Sequence, residues 1–129
     1  MAMNAVEIVQ AATQAFNEGR IEDALAFYED AIVQRSPATD GKPGFKIRQG
    51  KEALRQVLQA DTGAQVRFDH HRYIADGDVV AVEGTNRGLL NGVYVEQPVA
   101  VFYEVTDGKI ASVTVYYDRL ALRQILGQT

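Results

Sequence analysis

Five polar side chains of this 129-residue sequence have the chemistry that small-molecule sites use. His70 can move a proton near neutral pH, because the unperturbed pKa of imidazole is about 6.5. Arg35 can bind an anionic or carbonyl oxygen, and the phenols of Tyr103 and Tyr117 can donate hydrogen bonds to a carbonyl group. Asn86 can orient a ligand with its amide. These residue types together favour a ligand-binding or catalytic site, provided that the fold brings them to one place.

Each of these side chains also has a structural interpretation. Arg35 could pair with Glu29 or another surface acid, and His70 could be a hydrogen-bonded histidine of a half-buried strand. The two tyrosines could fill a curved sheet, and Asn86 lies near a turn, where asparagine often serves the backbone. Asp118 follows the last predicted strand and begins a helix, which favours an N-cap. The elements that position these residues therefore decide between the two interpretations.

The composition excludes several classes of site. Seventeen acidic residues outnumber thirteen basic ones, and the basic residues are scattered, which argues against a nucleic-acid-binding surface. The sequence has no cysteine, so disulfides, thiolate metal sites and cysteine nucleophiles are excluded. The adjacent pair His70-His71 lacks the spacing of a two-histidine metal site, and Gly41-Lys42-Pro43-Gly44 lacks the strand and helix of a phosphate loop. No metal and no cofactor are predicted.

The sequence also predicts the number of domains and the compartment. Its length is that of one domain, with 47% hydrophobic and 23% charged residues, a composition typical of globular proteins. The first residues have no basic start followed by an apolar run, and no segment is long enough to cross a bilayer. We therefore expect one soluble domain spanning residues 1–129 in the cytoplasm, with neither a membrane nor a nucleic acid as partner.

Helical periodicity predicts three helices in the first half of the chain. Asn4 and Glu7 have the spacing of a capping box, and the apolar face that follows ends at Gly19. Gly50 precedes another amphipathic segment. Two of the three prolines lie between the second and third helices and predict a loop there. The predicted elements are helices over about residues 4–18, 21–29 and 51–58, a strand over 31–35 and a loop over 36–49.

From residue 64 the period of hydrophobicity changes from about 3.6 residues to about 2, which predicts strands. Val66 and Phe68 share a face with His70, so His70 rather than His71 is expected to face inward. Tight-turn signals separate four strands, and helices followed by an antiparallel sheet predict the α+β class. The strands are predicted over 66–75, 79–88, 93–106 and 109–117, followed by a short helix with Leu120, Leu122, Ile125 and Leu126.

Several short motifs support this order of elements. They are Phe27-Tyr28-Glu29-Asp30-Ala31, Ala75-Asp76-Gly77-Asp78-Val79-Val80, residues 101–110 and the closing Tyr116-Tyr117-Asp118. Over nearly its whole length the chain resembles the nuclear transport factor 2-like superfamily, and within it the SnoaL-like group. The resemblance implies a cone: a curved antiparallel sheet wrapped around three helices, with a cavity at one end. Members include ketosteroid isomerases, polyketide cyclases, epoxide hydrolases and dehydratases, as well as non-catalytic modules, and homodimers through the sheet are common.

The catalytic groups of two of these enzymes have no counterparts in this sequence. The ketosteroid isomerase positions fall near Arg35, Ala12 and Ala100 or Val101. Those of limonene epoxide hydrolase fall near Gly84 and Asn86, or near Glu83 and Thr85 if the register shifts by one residue, and near Val115. The dehydratase type implies a His–Asp pair, for which His70 or His71 with Asp118 is the available match.

The resemblance therefore implies a small-molecule-binding protein of the SnoaL-like type, acting, if it is catalytic, as an isomerase, cyclase or dehydratase on a hydrophobic carbonyl compound. Its catalytic residues would be His70 and Asp118, and its substrate-binding residues would be Arg35, Asn86, Tyr103 and Tyr117. The alternative is a non-catalytic module and homodimer. Its cavity would be closed by Phe16, Phe27 and Tyr117, and its sheet-to-sheet contact would use Ala100, Phe102 and Tyr116.

Overall fold

The computed structural model describes residues 2–38 and 42–118, together with residues 120, 124 and 127. Within these residues it contains three helices and a six-stranded sheet, which confirms the predicted α+β class. The helices are α1 (Ala5–Asn17), α2 (Ile21–Leu25) and α3 (Lys51–Gly63), and the strands are β1 (Tyr28–Pro37), β2 (Phe45–Gln49), β3 (Arg67–Asp76), β4 (Val79–Leu90), β5 (Val93–Thr106) and β6 (Lys109–Tyr116). The terminal helix predicted after Asp118 falls mostly outside the described residues.

The first helix forms as its sequence predicts. The Glu7 amide donates to Asn4 Oδ1 at 2.8 Å, and the Asn4 amide donates to Glu7 Oε1 at 3.0 Å, so the capping box satisfies two backbone donors at the helix start. Gly19 follows the helix with a φ of 78°, which residues with a side chain rarely adopt. The buried face consists of Ile8, Val9, Ala12, Ala15 and Phe16. It anchors the helix in the core.

The third helix is longer than its sequence pattern predicts. It continues to Gly63 rather than ending near residue 58. Leu54 and Leu58 are buried on its inner face, and Val57 lies beside them. Because residues three and four apart share a helix face, the next position on this apolar stripe is Asp61. Because the helix is longer than predicted, the carboxyl group of Asp61 faces the interior.

The second helix and the following loop differ from prediction. α2 ends at Leu25 and β1 already begins at Tyr28. β2 lies within the stretch predicted to be a loop, and it pairs antiparallel with β1 from Val33 to Pro37. The prediction of a loop over 36–49 is therefore wrong for residues 36–37, which belong to β1, and for residues 45–49. A strand is possible because neither proline lies within β2: Pro37 is the last paired residue of β1, and Pro43 precedes β2.

The strands form one curved sheet in the order β2-β1-β6-β5-β4-β3. Neighbouring strands are antiparallel except β1 and β6, which run parallel, so the sheet is mixed at this one position. Register irregularities interrupt three of these pairings, and such bulges bend a sheet. Pro98 lies where β5 pairs with β4 alone, before the β5–β6 pairing begins at Ala100. This position, paired on one side only, suits proline, which has no amide hydrogen to donate to a second neighbouring strand.

One of these irregularities lies at His71 in β3. His70 pairs with Gly84 and Arg72 with Glu83, so His71 is the extra residue of a bulge. The alternation therefore reverses: Ile74 is 55% exposed and Tyr73 is half-buried. The uninterrupted alternation predicted for residues 66–75 is correct only up to His70.

Glycine at position 84 allows β3 to curl over β4. A Cβ atom built on Gly84 would lie 2.5 Å from the Asp69 carbonyl oxygen and 3.2 Å from His70 Cα. Real Cβ atoms do not approach backbone so closely, so a side chain here would push β3 away. The missing side chain thus permits the close approach that brings His70 to the concave face.

The edge strand β3 is fixed to α1 by one side chain. Asn17 Nδ2 donates to the Phe68 carbonyl oxygen and the Phe68 amide donates to Asn17 Oδ1, both at 2.9 Å. Phe16 stacks on Phe68 with ring centroids 4.4 Å apart. The end of α1 is therefore held to the wall that carries His70.

The helices pack on the concave face of the sheet, and the buried apolar residues form one cluster there. Val80 and Ile110 are fully buried at its centre. Within the residues that the structure describes, no helix is both long enough and apolar enough to span a bilayer.

Candidate functional site

A cavity lies between α3 and the concave face of the sheet. It has an outer chamber of about 270 Å³ and an inner chamber of about 60 Å³. The two chambers adjoin, because six residues belong to the walls of both; these are Gln34, Val57, Asp61, Phe68, Asn86 and Val115. Ligand pockets usually measure about 300–1,000 Å³. The volumes therefore suit a small ligand.

The inner chamber is mainly apolar and includes His70 in its wall. Its remaining wall residues are Tyr28, Leu54, Leu58, Val101, Tyr103 and Val113. Burial lowers the pKa of His70 to about 4, although the Asp69 carboxylate acts in the opposite direction. His70 Nδ1 lies 3.1 Å from the Tyr73 hydroxyl. The imidazole is thus neutral at pH 7, with one ring nitrogen already hydrogen-bonded.

Tyr103 is a second polar group of this chamber. Its side chain is only 6% exposed, and burial raises its pKa well above the ordinary value for a phenol. Its hydroxyl is hydrogen-bonded with Thr13, whose own hydroxyl donates to the Val9 carbonyl oxygen at 2.9 Å. Tyr103 therefore remains a neutral phenol, anchored to α1 from across the core.

The wall of the outer chamber includes the positively charged side chain of Arg48, from β2. Arg48 Nη1 donates to Gln34 Oε1 at 3.1 Å and approaches the Ser36 hydroxyl at 3.5 Å. Tyr117, in the same wall, is hydrogen-bonded with Ser36, and burial raises its pKa. Antiparallel pairing of β1 and β2 explains this geometry, since Gln34 pairs with Arg48 in register.

Asp61 lies where the two chambers meet. Its carboxyl belongs to the wall of both, and burial raises its pKa to about 6 even though Arg48 favours the charged form. No described residue donates a hydrogen bond to this carboxyl group. A carboxyl with a pKa near the pH of the cell can both accept and return a proton, which is the requirement for general acid–base catalysis.

A chain of ion pairs borders the outer chamber. Arg87 bonds Asp69 on β3 and Glu96 on β5, and Arg67 Nε donates to Asp69 Oδ1 at 3.0 Å. The hydrogen bond from Arg87 is the largest cause of the lowered pKa of Asp69. The charge of Arg87 is therefore engaged by carboxylates before any ligand arrives.

The structure brings four of the six predicted site residues to the cavity. His70 and Tyr103 lie in the wall of the inner chamber, Tyr117 in that of the outer chamber, and Asn86 in both. Phe16 and Phe27, predicted to close the cavity in the alternative interpretation, are not among its wall residues.

Arg35 and Asp118 lie elsewhere. Arg35 alternates with Gln34 and Ser36 on β1, so it points to the convex face, contrary to its predicted place in the cavity. Asp118 is exposed after β6, and Gln97 Nε2 donates to its backbone carbonyl at 3.3 Å. The hydrogen-bond partner of His70 Nδ1 is the Tyr73 hydroxyl, at 3.1 Å, and not the predicted Asp118.

Two residues of the site, Arg48 and Asp61, were not predicted from the sequence. Arg48 is missed because its strand lies in a stretch predicted to be a loop, and Asp61 because the helix is predicted to end too early. Among the described residues, no three His, Asp or Glu side chains converge to hold a metal ion. The chemistry that this wall itself offers is proton transfer and hydrogen bonding to oxygen.

Comparison with known proteins agrees with this architecture. A family model described as the SnoaL-like domain matches residues 9–113. None of the curated proteins compared with the chain matches it. A candidate polyketide cyclase from Xanthomonas campestris pv. campestris is 26% identical, with a TM-score of 0.75, over 94% of this chain and 96% of that one.

Two further solved structures are similar at lower identity. IdmH, a candidate polyketide cyclase from Streptomyces antibioticus, is 22% identical with a TM-score of 0.78, and the match covers 97% of this chain and 99% of that one. TerC, co-crystallised with polyporic acid, is 20% identical with a TM-score of 0.80, over 95% of this chain and 98% of that one. These two likenesses concern the fold.

Proposed function

Because the chain belongs to the SnoaL-like domain family, we propose that its cavity binds a small hydrophobic carbonyl compound and transfers a proton at the carbon next to the carbonyl group. The observation that carries this proposal is the Asp61 carboxyl in the wall of a mainly apolar cavity, with a pKa of about 6. The candidate polyketide cyclases among the similar structures support the same class of ligand.

The proton transfer would begin at the ionised Asp61. The carboxylate takes the proton from the carbon next to the carbonyl group, and the electron pair of the broken C–H bond forms a C=C bond. The negative charge moves to the carbonyl oxygen, giving an enolate, and Asp61 becomes a carboxylic acid. Returning that proton to another atom of the ligand completes an isomerisation. Cyclases and dehydratases can begin with the same step, so this proposal covers the three reaction classes predicted from the sequence.

The other polar wall residues would bind and orient the ligand. The amide of Asn86 and the phenol of Tyr117 would donate hydrogen bonds to the enolate oxygen. Tyr103 and the neutral His70 would limit how deep the ligand enters the inner chamber. The proton-transfer role of His70 stays a prediction, although a pKa of about 4 makes it a weaker base than Asp61.

Hydrogen exchange on a small ketone tests this function. With 2-tetralone in D₂O, we expect the protein to speed deuterium incorporation next to the carbonyl, followed by proton NMR. Asp61→Asn should slow the catalysed exchange about 100-fold or more, the usual contribution of a general base. Asp76→Asn changes an exposed aspartate at the end of β3 and should exchange at the wild-type rate. Equal rates for Asp61→Asn and the wild type would contradict the assignment of the base.

The convex face favours a second role, that of a homodimer. Phe45, Phe102 and Tyr116 lie there as an aromatic cluster, 41%, 42% and 47% exposed, respectively. The Tyr116 ring packs edge-on against Phe45 at 5.5 Å and Phe102 at 5.8 Å. Exposed apolar surface of this kind is typical of a contact between two subunits. Ala100 lies on the same face of β5 and would join the contact.

Sedimentation of wild-type and variant protein tests the dimer. We expect the wild type to sediment as a dimer at micromolar concentration and Tyr116→Glu as a monomer with an almost unchanged melting temperature. Ile74→Glu is the control, since Ile74 is 55% exposed but lies on β3, away from the cluster. A wild-type protein that remains monomeric under these conditions would refute the dimer.

A further inference from the structure

Arg48 differs from the other arginines in its electrostatic surroundings. Of the arginines that the structure describes, five are paired with carboxylates, namely Arg20, Arg55, Arg67, Arg72 and Arg87. The two without a carboxylate within ion-pair distance are Arg35 and Arg48. Arg35 lies on the convex face, whereas Arg48 is half-buried in the wall of the outer chamber. The cavity thus contains a guanidinium group whose charge is not neutralised by an ion pair.

The hydrogen bonds of Arg48 leave most of its donors available. Nη1 bonds to the neutral groups of Gln34 and Ser36, while a guanidinium has five N–H donors in a fork that fits oxyanions. These bonds hold the Arg48 side chain against β1 without neutralising its positive charge. Among the described residues, neither Nε nor Nη2 has a hydrogen-bond partner. A half-buried cation of this kind is stabilised by an anion that enters the cavity.

Asp61 faces the same space without pairing with Arg48. The two side chains interact electrostatically but do not come within ion-pair distance. Both side chains belong to the wall of the outer chamber, so a ligand there would meet a cation and a carboxyl group in the same wall. An anionic oxygen near Arg48 would therefore leave Asp61 facing the adjoining part of the ligand.

The sizes of the two chambers limit the rest of the ligand. An apolar cavity of about 150 Å³ holds benzene, so 270 Å³ accommodates a bicyclic ring system. The inner chamber, at 60 Å³, has room for a short apolar substituent only. The head of the ligand would thus remain in the outer chamber beside Arg48, with its substituent towards Val101 and Val113.

We propose that the natural ligand is a monoanion: a compact, mostly apolar ring compound whose ionised oxygen, as a carboxylate or an acidic enolate, is bound by Arg48. This inference rests on the proposed function and specifies the substrate class of the same site. It also assigns to Arg48 the anion-binding role that the sequence predicts for Arg35.

Binding of matched probes to wild-type protein tests the anion site. The probes are 2-naphthoate, which bears a carboxylate, 2-hydroxy-1,4-naphthoquinone, which bears an ionised enolic oxygen, and the neutral 2-naphthamide. By titration calorimetry, we expect at least one anion to bind about 10-fold or more tightly than the amide, the effect of one charge-assisted hydrogen bond. Which anion binds better identifies the kind of oxyanion.

Variants at Arg48 then assign that preference to the residue. Arg48→Gln should remove the preference for the anion, and Arg48→Lys should keep part of it, because an ammonium retains the charge without the fork. Arg35→Gln changes the half-buried arginine of the neighbouring strand and should bind like the wild type. Thermal melts show that each variant is folded, and Arg48→Lys replaces Arg48→Gln as the test if the latter unfolds.

The outcomes separate this inference from the proposed function. If the neutral amide binds as tightly as both anions, or if Arg48→Lys and Arg48→Gln both retain the full preference, the anion site is refuted while the cavity remains a carbonyl-binding site. If neither the amide nor the anions bind the wild-type protein, the proposed function fails and the anion site fails with it.

Discussion

Asp61→Asn is expected to make the protein more stable than the wild type at about pH 7.5, by about 1–3 kcal/mol, with a difference of about 0.5 kcal/mol or less near pH 4. The Asp61 pKa is about 6 in the folded chain, whereas an unfolded aspartate has a pKa of about 3.9. Below the pKa of the unfolded chain, Asp61 is protonated in both states and does not lower the stability of the fold. As the pH rises from there through about 6, the carboxyl ionises more readily in the unfolded chain, and the wild type loses stability. Asparagine does not ionise, so the variant avoids that loss.

The charged and titratable groups around Asp61 are consistent with a raised pKa, and so with a stabilising effect of Asp61→Asn at neutral pH. Arg48 from β2 lowers the pKa of the carboxyl, but burial raises it by more. Tyr117, beyond β6, is a neutral phenol at these pH values, and Arg87 is engaged by Asp69 and Glu96. His70 in the inner chamber is uncharged above about pH 4. None of them therefore reverses the effect of burial at neutral pH.

Urea unfolding across a pH series measures the predicted difference. The free energies of unfolding of wild type and Asp61→Asn should diverge between about pH 4 and pH 6.5 and then run parallel. Asp76→Asn, at the exposed end of β3, should follow the wild type throughout. A stability difference that does not change with pH would mean that Asp61 titrates normally. A carboxyl that costs stability at neutral pH is more simply explained by function than by folding.

Gly84→Ala is expected to have the largest destabilising effect, about 3 kcal/mol, because overpacking against backbone cannot be relieved by a change of rotamer. The new methyl group would lie 2.5 Å from the Asp69 carbonyl oxygen. β3 must then move away from β4 and take Phe68 and His70 with it, which alters the cavity wall. We therefore expect weaker ligand binding as well as a lower melting temperature.

Gly63→Ala serves as the matched control for Gly84→Ala. Gly63 ends α3 with no positive φ, and a Cβ built there meets no atom within 4 Å. Alanine favours helix over glycine, so this variant should be as stable as the wild type or more so. Denaturant unfolding and probe titration of both variants check the prediction. Wild-type stability for Gly84→Ala would show that β3 does not pack closely on β4.

The helix caps, the long strands and most of their turns could be predicted from the sequence, because each depends on residues close together in the chain. The capping box of α1 and the hairpin turn at Asp107-Gly108 are examples. β2 could not be predicted with the same rules. It is five residues long, its apolar Phe45 and Ile47 face outward, and two prolines precede it and predict a loop. Its pairing with β1 is a tertiary interaction.

The candidate site was only partly predictable for related reasons. The strand period correctly directs His70, Asn86 and Tyr103 inward, since alternation is local. Arg35 was expected in the cavity, but register places Gln34 there instead. A signal for Asp61 exists in the sequence: it continues the three- and four-residue spacing of Leu54, Val57 and Leu58. A charged residue on an apolar stripe marks a buried carboxyl when the helix is long enough to include it.

The two hydrogen bonds between Asn17 and Phe68 also protect the chain from aggregation. β3 is the last strand of the sheet, and an open strand edge is a template for adding a foreign strand. The amide of Asn17 occupies both the N–H and the C=O of Phe68, so an incoming strand would have to break two hydrogen bonds at that residue. Asn17, at the end of α1, thus hinders the addition of strands from other molecules to this edge of the sheet.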